Sequence, residues 1–188
     1  DTGQRLSEVF EEVLQIGSDA FVVLSGPSHA EEVIQKFPTT VVAAGTSMEN
    51  ARRIQTLFSN AYFRVYTGAD VAVVEIGGAA KNIIALAAGI CQGLGFGDNT
   101  MAALVTRGLE EIMRLGTQLG GKRETFSGLS GMGDLVVTAF SPHSRNRQVG
   151  QRIGKGESLQ SILGSMEMVA EGVSTTKSLY ELAQKQGV

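Results

Sequence analysis

The chain has 188 residues, 43% of them hydrophobic, and a formal net charge of −3. Such a length and apolar content support one large domain, or one and a half, around a packed core. The acidic balance excludes the basic footprint of a nucleic-acid-binding protein, so an anionic ligand must be held by local cations.

A single cysteine, Cys91, excludes a disulfide framework and suits a reducing, cytoplasmic setting, where it reads as a structural thiol. No stretch reads as a bilayer span or a signal peptide. The chain begins at Asp1 without a methionine and enters almost directly into a helical pattern, as a fragment of a longer protein would.

In chain order, Leu6, Val9, Phe10, Val13 and Leu14 make a helical stripe, with Ser7 and the acidic residues expected to face out. A short apolar strand over 21–24 runs into the turn Ser25-Gly26-Pro27-Ser28 and a helix from about residue 28 to 33. Strand, tight turn and helix start resemble half of an α/β unit, where ligands sit at strand carboxyl ends. An ordinary connection is the alternative. A β-branched strand over 39–44, an amphipathic helix over 48–58 and a strand over 63–66 complete this part. Beyond residue 68 glycine and alanine rise and helical stripes continue to the end, so the chain divides into 1–68 and 69–188.

The second part opens with a long helix carrying Gly77-Gly78-Ala79-Ala80-Lys81-Asn82. One helical turn to either side, Lys81 has Gly77, Gly78, Ile84 and Ala85 as neighbours, so its face is nearly bare. Two glycines inside a helix point to close approach by a backbone or a ligand. Either Lys81 borders a packing groove and snorkels to water, or it works in a site.

A turn over 93–99 follows, with Asp98 or Asn99 as N-cap of a helix to about residue 119. Its glycines follow no strand, nor do those of Gly128-Leu129-Ser130-Gly131-Met132-Gly133-Asp134, so neither is a dinucleotide fingerprint. The latter reads as a tight turn that sets Asp134 at a helix start.

A short helix over 135–140 stops at Ser141-Pro142, before Ser144-Arg145-Asn146-Arg147. Two guanidiniums around an amide suit a phosphate or carboxylate, although a solvated basic face has the same composition. Helices over 158–163 and 174–184 flank Met168-Val169-Ala170-Glu171-Gly172, an apolar run broken by a carboxylate and a glycine. His29 and His143 have no companion at metal spacing, so no metal is assigned.

Together, Ser25-Gly26-Pro27-Ser28-His29-Ala30, Gly77 to Asn82, Gly133-Asp134-Leu135 and Ser144 to Arg147 resemble the bacterial NAD(P)-dependent glycerol-3-phosphate dehydrogenases over essentially the whole chain. The resemblance implies an α/β remnant of a Rossmann-type dinucleotide-binding domain over 1–68. An all-α substrate domain, like the C-terminal domain of 6-phosphogluconate dehydrogenase, would cover 69–188. It implies an oxidoreductase that interconverts sn-glycerol 3-phosphate and dihydroxyacetone phosphate with NAD or NADP, for glycerophospholipid precursor synthesis.

By the same resemblance Lys81 exchanges a proton with the C2 oxygen. Burial among Gly77, Gly78 and Ala85 is expected to lower its pKa toward the working pH. Gly26, Ser28, Asn82, Asp134, Ser144, Arg145 and Asn146 would contact the substrate, with Asp134 on the glycerol hydroxyls and Arg145 on the phosphate. Ala30, Arg145, Val169 and Glu171 would contact the cofactor.

His29 stands where the family commonly has phenylalanine, and Met132 where leucine is usual. The β-hydroxyacid and 6-phosphogluconate dehydrogenases, a rival group, pair a similar lysine with an asparagine one turn later. Here that position is Ala85, and the asparagine is adjacent, at Asn82. A non-catalytic substrate-binding or dimerisation module is the alternative from another class. A homodimer is expected as the commonest oligomer.

Overall fold

A computed structural model of the chain describes residues 3–166 and 169–187. Asp1 and Met168, both named above, lie outside the described residues. The chain folds as a small three-stranded sheet with three helices, followed by a larger helical assembly.

Helix α1 (Leu6–Leu14) precedes β1 (Val22–Ser25) and the short α2 (Ala30–Ile34). Strand β2 (Thr39–Gly45), α3 (Met48–Phe58) and β3 (Phe63–Gly68) follow. The parallel unit is β2–α3–β3, with Thr39 paired to Phe63 and Ala44 to Gly68. Strand β1 instead runs antiparallel to β2, from Val22 opposite Gly45 to Ser25 opposite Val42. Val41, Ala43 and Val65 form the core of this part. Ser47 caps α3 by accepting the Asn50 N–H, as a serine at a helix start should.

Helix α1 does not behave as its stripe suggests. Ser7, expected to face out, is buried, and Leu6, Val13 and Leu14 are exposed. The physical reason is the Glu75 carboxylate, which accepts both the Ser7 N–H at 2.7 Å and the Ser7 O–H at 2.6 Å. It binds one of the free N–H groups of the first turn and turns the polar end of α1 inward.

Helix α4 (Val71–Gly93) is the axis of the second part, with α5 (Asp98–Gln118), α6 (Asp134–Phe140), α7 (Arg145–Gly154) and α9 (Glu171–Gln186) packed around it. The helix is long and apolar enough to cross a membrane, which corrects the expectation that no stretch qualifies. Here its apolar length packs within the protein: Val73, Ile76, Ala80 and Ala88 join Met101, Ile112, Phe126 and Leu135 in one core. Short α8 (Leu159–Gly164) adds Ile162 to a second cluster with Val149 and Ala170.

Glycine sets how closely α4 and α7 approach. A Cβ on Gly150 would overlap the Leu86 carbonyl oxygen, and one on Gly89 would overlap that of Arg147. Gly93 and Gly154 repeat the arrangement one turn further on. Backbone thus lies directly on backbone, and the N-terminus of α7 is fixed relative to Lys81.

Details of three elements of this part differ from expectation. Gly97, not Asp98 or Asn99, is the N-cap of α5, and Asp98 is the first helical residue, where a carboxylate suits the helix dipole. Residues Leu129–Gly133 form a π-helical turn rather than a tight one, because Gly131 lies against the Phe126 backbone. Helix α9 begins at Glu171, three residues before Ser174, because Asn146 Oδ1 accepts the Gly172 N–H at 2.8 Å and caps it from another helix. A cap supplied in space leaves no local sequence mark.

Candidate active site

Four segments meet over the middle of α4. The carboxyl end of β1 brings Gly26, Ser28 and His29; α4 brings Gly78, Lys81 and Asn82. Helix α6 brings Asp134 and Thr138, and the start of α7, with Glu171 of α9, closes the far side. The cleft they line has a volume of about 390 Å³, the size for a small metabolite.

Each segment is positioned by its own chemistry. Gly26 is buried with φ +144°, and a Cβ would stand 3.0 Å from Val41 Cα, so the turn after β1 requires glycine. The Ser28 hydroxyl donates to the Gly26 carbonyl at 2.9 Å, and α2 therefore begins at Ala30 instead of residue 28. The bare face around Lys81 divides. Gly77 packs against the Ser130 carbonyl, whereas Gly78 opens on the cleft.

Lys81 Nζ donates to Asp134 Oδ2 at 2.5 Å, and the two side chains are 20% and 5% exposed. The expectation of a lysine isolated among small apolar residues gives way to an ion pair in which the carboxylate is the more deeply buried partner. Burial raises the Asp134 pKa above its ordinary value, against the opposing pull of Lys81, Thr138 and His29. The Thr138 hydroxyl donates to the Asp134 backbone carbonyl at 2.6 Å and lies 3.4 Å from Oδ1, while Ser25 Oγ stands 3.5 Å from Oδ2. Asp134 begins α6 without capping it; its side chain serves the cleft.

Across the cleft, Arg145 Nη2 donates to Glu171 Oε1 at 2.9 Å. Arg147 is not its companion: it donates to the Ser141 carbonyl, and its Nε is buried without a partner among the described residues. Positions two apart on a helix face opposite ways, so the donor-rich grouping contains one arginine, not two. Ser144 lines the cleft, but its Oγ accepts the Arg147 N–H and caps α7. Asn146 is buried, and its Oδ1 holds the start of α9.

The cleft therefore gathers Gly26, Ser28, Lys81, Asn82, Asp134, Ser144, Arg145, Asn146 and Glu171 from the sequence-derived set. Ala30 and Val169 do not line it; both are exposed, beside His29 and close to Glu171 in the chain. Thr138, His29 and His143 were not singled out for the site, yet all three line it. The histidine rings stand 6.0 Å apart, and His29 Nε2 is buried without a hydrogen-bond partner among the described residues. Thr138 carried one available signal, its place one helical turn after Asp134. The histidines carried only adjacency, His29 between Ser28 and Ala30 and His143 before Ser144, and nothing that pairs them across 114 positions (143 − 29). Among the described residues no group of three or more His, Cys, Asp or Glu is arranged to hold a metal ion.

Comparison with known proteins shows the family. Residues 70–188 match the family model described as NAD-dependent glycerol-3-phosphate dehydrogenase C-terminus, and residues 1–51 match the corresponding N-terminus. Over its whole length the chain is 58% identical to the glycerol-3-phosphate dehydrogenase (NAD(P)+) of Chlorobium phaeobacteroides, of which it covers 57%. It is also 58% identical to that of Lysinibacillus sphaericus, of which it covers 56%. The chain thus spans just over half the length of these curated relatives. The crystal structure of glycerol-3-phosphate dehydrogenase from Coxiella burnetii superposes on 99% of the chain with a TM-score of 0.95 at 39% identity, the chain covering 57% of that protein. The enzyme from Saccharomyces cerevisiae superposes on 97% with a TM-score of 0.85 at 29% identity, 54% of it covered. By sequence across both matched parts, and by fold, the chain belongs to the NAD-dependent glycerol-3-phosphate dehydrogenase family.

Proposed function

We propose that the protein interconverts sn-glycerol 3-phosphate and dihydroxyacetone phosphate, and that this chain supplies the substrate half of the site. The carrying observation is the Lys81–Asp134 pair, held at 2.5 Å within one cleft that Arg145 closes on the far side. A carbonyl reduction needs a proton donor at the oxygen, and a phosphorylated substrate needs a cation at the other end.

In the direction of carbonyl reduction, the Lys81 ammonium donates its proton to the C2 oxygen. The side chain, one-fifth exposed, regains a proton from water. In the reverse direction Lys81, neutral, accepts the C2 hydroxyl proton. Asp134 accepts hydrogen bonds from the glycerol hydroxyls and holds the lysine on the oxygen. Asn82, next to Lys81 on the cleft wall, orients the same end of the substrate. Arg145 takes the phosphate bidentately, with Asn146, Ser144, Ser28 and the Gly26 backbone around it.

NAD or NADP, when bound, supplies the hydride acceptor or donor. Its fit to this chain rests on the donor set at the rim. Glu171, paired with Arg145, offers a carboxylate to ribose hydroxyls, and Val169, 71% exposed, and Ala30, next to His29 in the chain, offer apolar surface. We extend the reading to a division at residue 68, to a cytoplasmic enzyme, in keeping with the free Cys91, and to a symmetric dimer. An alternative is that the chain alone is a substrate-binding module, since no glycine fingerprint follows a strand among the described residues.

The test is oxidation of NADH or NADPH dependent on dihydroxyacetone phosphate, with the protein at the full length of its relatives. Turnover supports the proposal. Inactivity with dihydroxyacetone phosphate, together with turnover of 6-phosphogluconate or a β-hydroxyacid, would contradict it. Turnover by the 188-residue chain alone would remove the module reading.

A further inference from the structure

Two basic side chains line the cleft, Lys81 and Arg145, and each already has a carboxylate: Asp134 for the first, Glu171 for the second. His29 and His143 are the remaining titratable groups on the wall. A phosphate entering this cleft therefore meets compensated charge.

The two carboxylates differ in how firmly they are held. Asp134 is 5% exposed, with Thr138 and Ser25 beside it as well as Lys81. Glu171 is 47% exposed, and among the described residues Arg145 alone engages its carboxylate. Its backbone, by contrast, is pinned. The Gly172 N–H is bonded to Asn146 Oδ1, and a Cβ at Gly172 would stand 2.7 Å from the Asn82 carbonyl oxygen. The side chain can swing while the helix start stays fixed.

We infer that Glu171 is an internal counter-ion that occupies Arg145 until a phosphate replaces it. Its displacement by substrate phosphate rests on the proposed function; its displacement by phosphate as such does not. Glu171 lowers the affinity of the cleft for anions, and phosphate binding frees its carboxylate at the rim. The two events are then coupled, so that a ligand held by the freed Glu171 and one held by Arg145 each strengthen the other's binding.

The experiment is calorimetric titration of the folded chain with inorganic phosphate, glycerol 3-phosphate and adenosine monophosphate, in the wild type, Glu171→Gln and Arg145→Ala. The pair is part-exposed, so Glu171→Gln should bind phosphate and glycerol 3-phosphate about two- to five-fold more tightly. Arg145→Ala should lose about ten-fold or more. No gain in Glu171→Gln, whether binding is unchanged, weaker or undetected in both, overturns the inference. A gain confined to adenosine monophosphate overturns the substrate assignment, pointing to a nucleotide phosphate instead. No loss in Arg145→Ala refutes the placement of phosphate in the proposed site itself. A second readout needs no substitution at Glu171. In the wild type its carboxyl carbon resonance should move on phosphate addition with the half-saturation seen by calorimetry, and a stationary resonance overturns the inference.

Discussion

Replacing Lys81 with Met strands the Asp134 carboxylate, whereas replacing Asp134 with Asn leaves an ammonium that still reaches water. The side chains are 5% exposed at Asp134 and 20% at Lys81, so the cost of the two changes differs. Removing one partner of a buried pair costs about 3–5 kcal/mol; with Lys81 part-exposed, the lower end, about 3 kcal/mol, applies to Lys81→Met. Asp134→Asn discards a charge whose burial is already unfavourable, since its pKa is raised, and should cost less than about 1 kcal/mol or stabilise. The double variant should lie within about 1 kcal/mol of Asp134→Asn, because no stranded carboxylate remains.

The pH dependence follows from the same shift. A raised folded-state pKa means that the native protein holds the Asp134 proton where the unfolded chain has released it, so stability falls as pH rises through that window. Without Lys81 the window moves further up. The Lys81→Met penalty is therefore full above the raised value and fades as the pH drops through it. Urea denaturation of the four proteins at neutral and mildly acidic pH measures all of this. Equal losses from the two single variants, or a Lys81→Met penalty that grows on acidification, would refute the reasoning.

Two further expectations concern the frame of the site. Gly150→Ala inserts a methyl group into the Leu86 carbonyl oxygen and should cost about 2 kcal/mol or more, while Gly164→Ala, with nothing within 4 Å of the new Cβ, should cost nothing and stabilise by at most about 1 kcal/mol, the helix-propensity difference. Similar urea midpoints for the two would mean that α4 and α7 are not in backbone contact. His29→Phe removes a buried nitrogen that has no partner among the described residues and should raise stability by about 1 kcal/mol; a lowered midpoint would show that the nitrogen is bonded in solution.

Most elements of the fold are legible in the chain because their signals are local. The stripe over α3 and its Ser47 cap, the β-branched runs of β2 and β3, and the glycine–alanine helix around Lys81 each carry their own period. What failed was set by partners distant in sequence. Helix α1 is turned by Glu75, 68 positions from Ser7, which no periodicity reports. Helix α9 is capped by Asn146, 26 positions before Gly172.

At the site, the residue types were readable and their pairings were not. Lys81 stood out because its helix offers little else that is polar, but nothing near it in sequence announces Asp134, 53 positions away. Arg147 shows the opposite error. Composition grouped it with Arg145, and helical geometry sends it to the other face.

The central claim is that Lys81 exchanges the proton of the C2 oxygen. Its most direct test is the maximal rate of dihydroxyacetone phosphate reduction by Lys81→Ala in the protein at the full length of its relatives, with the fold checked by circular dichroism. A general acid contributes about 10²- to 10⁴-fold, so the rate should fall by that factor while the spectrum is unchanged. A near-normal rate in a folded variant would contradict the account.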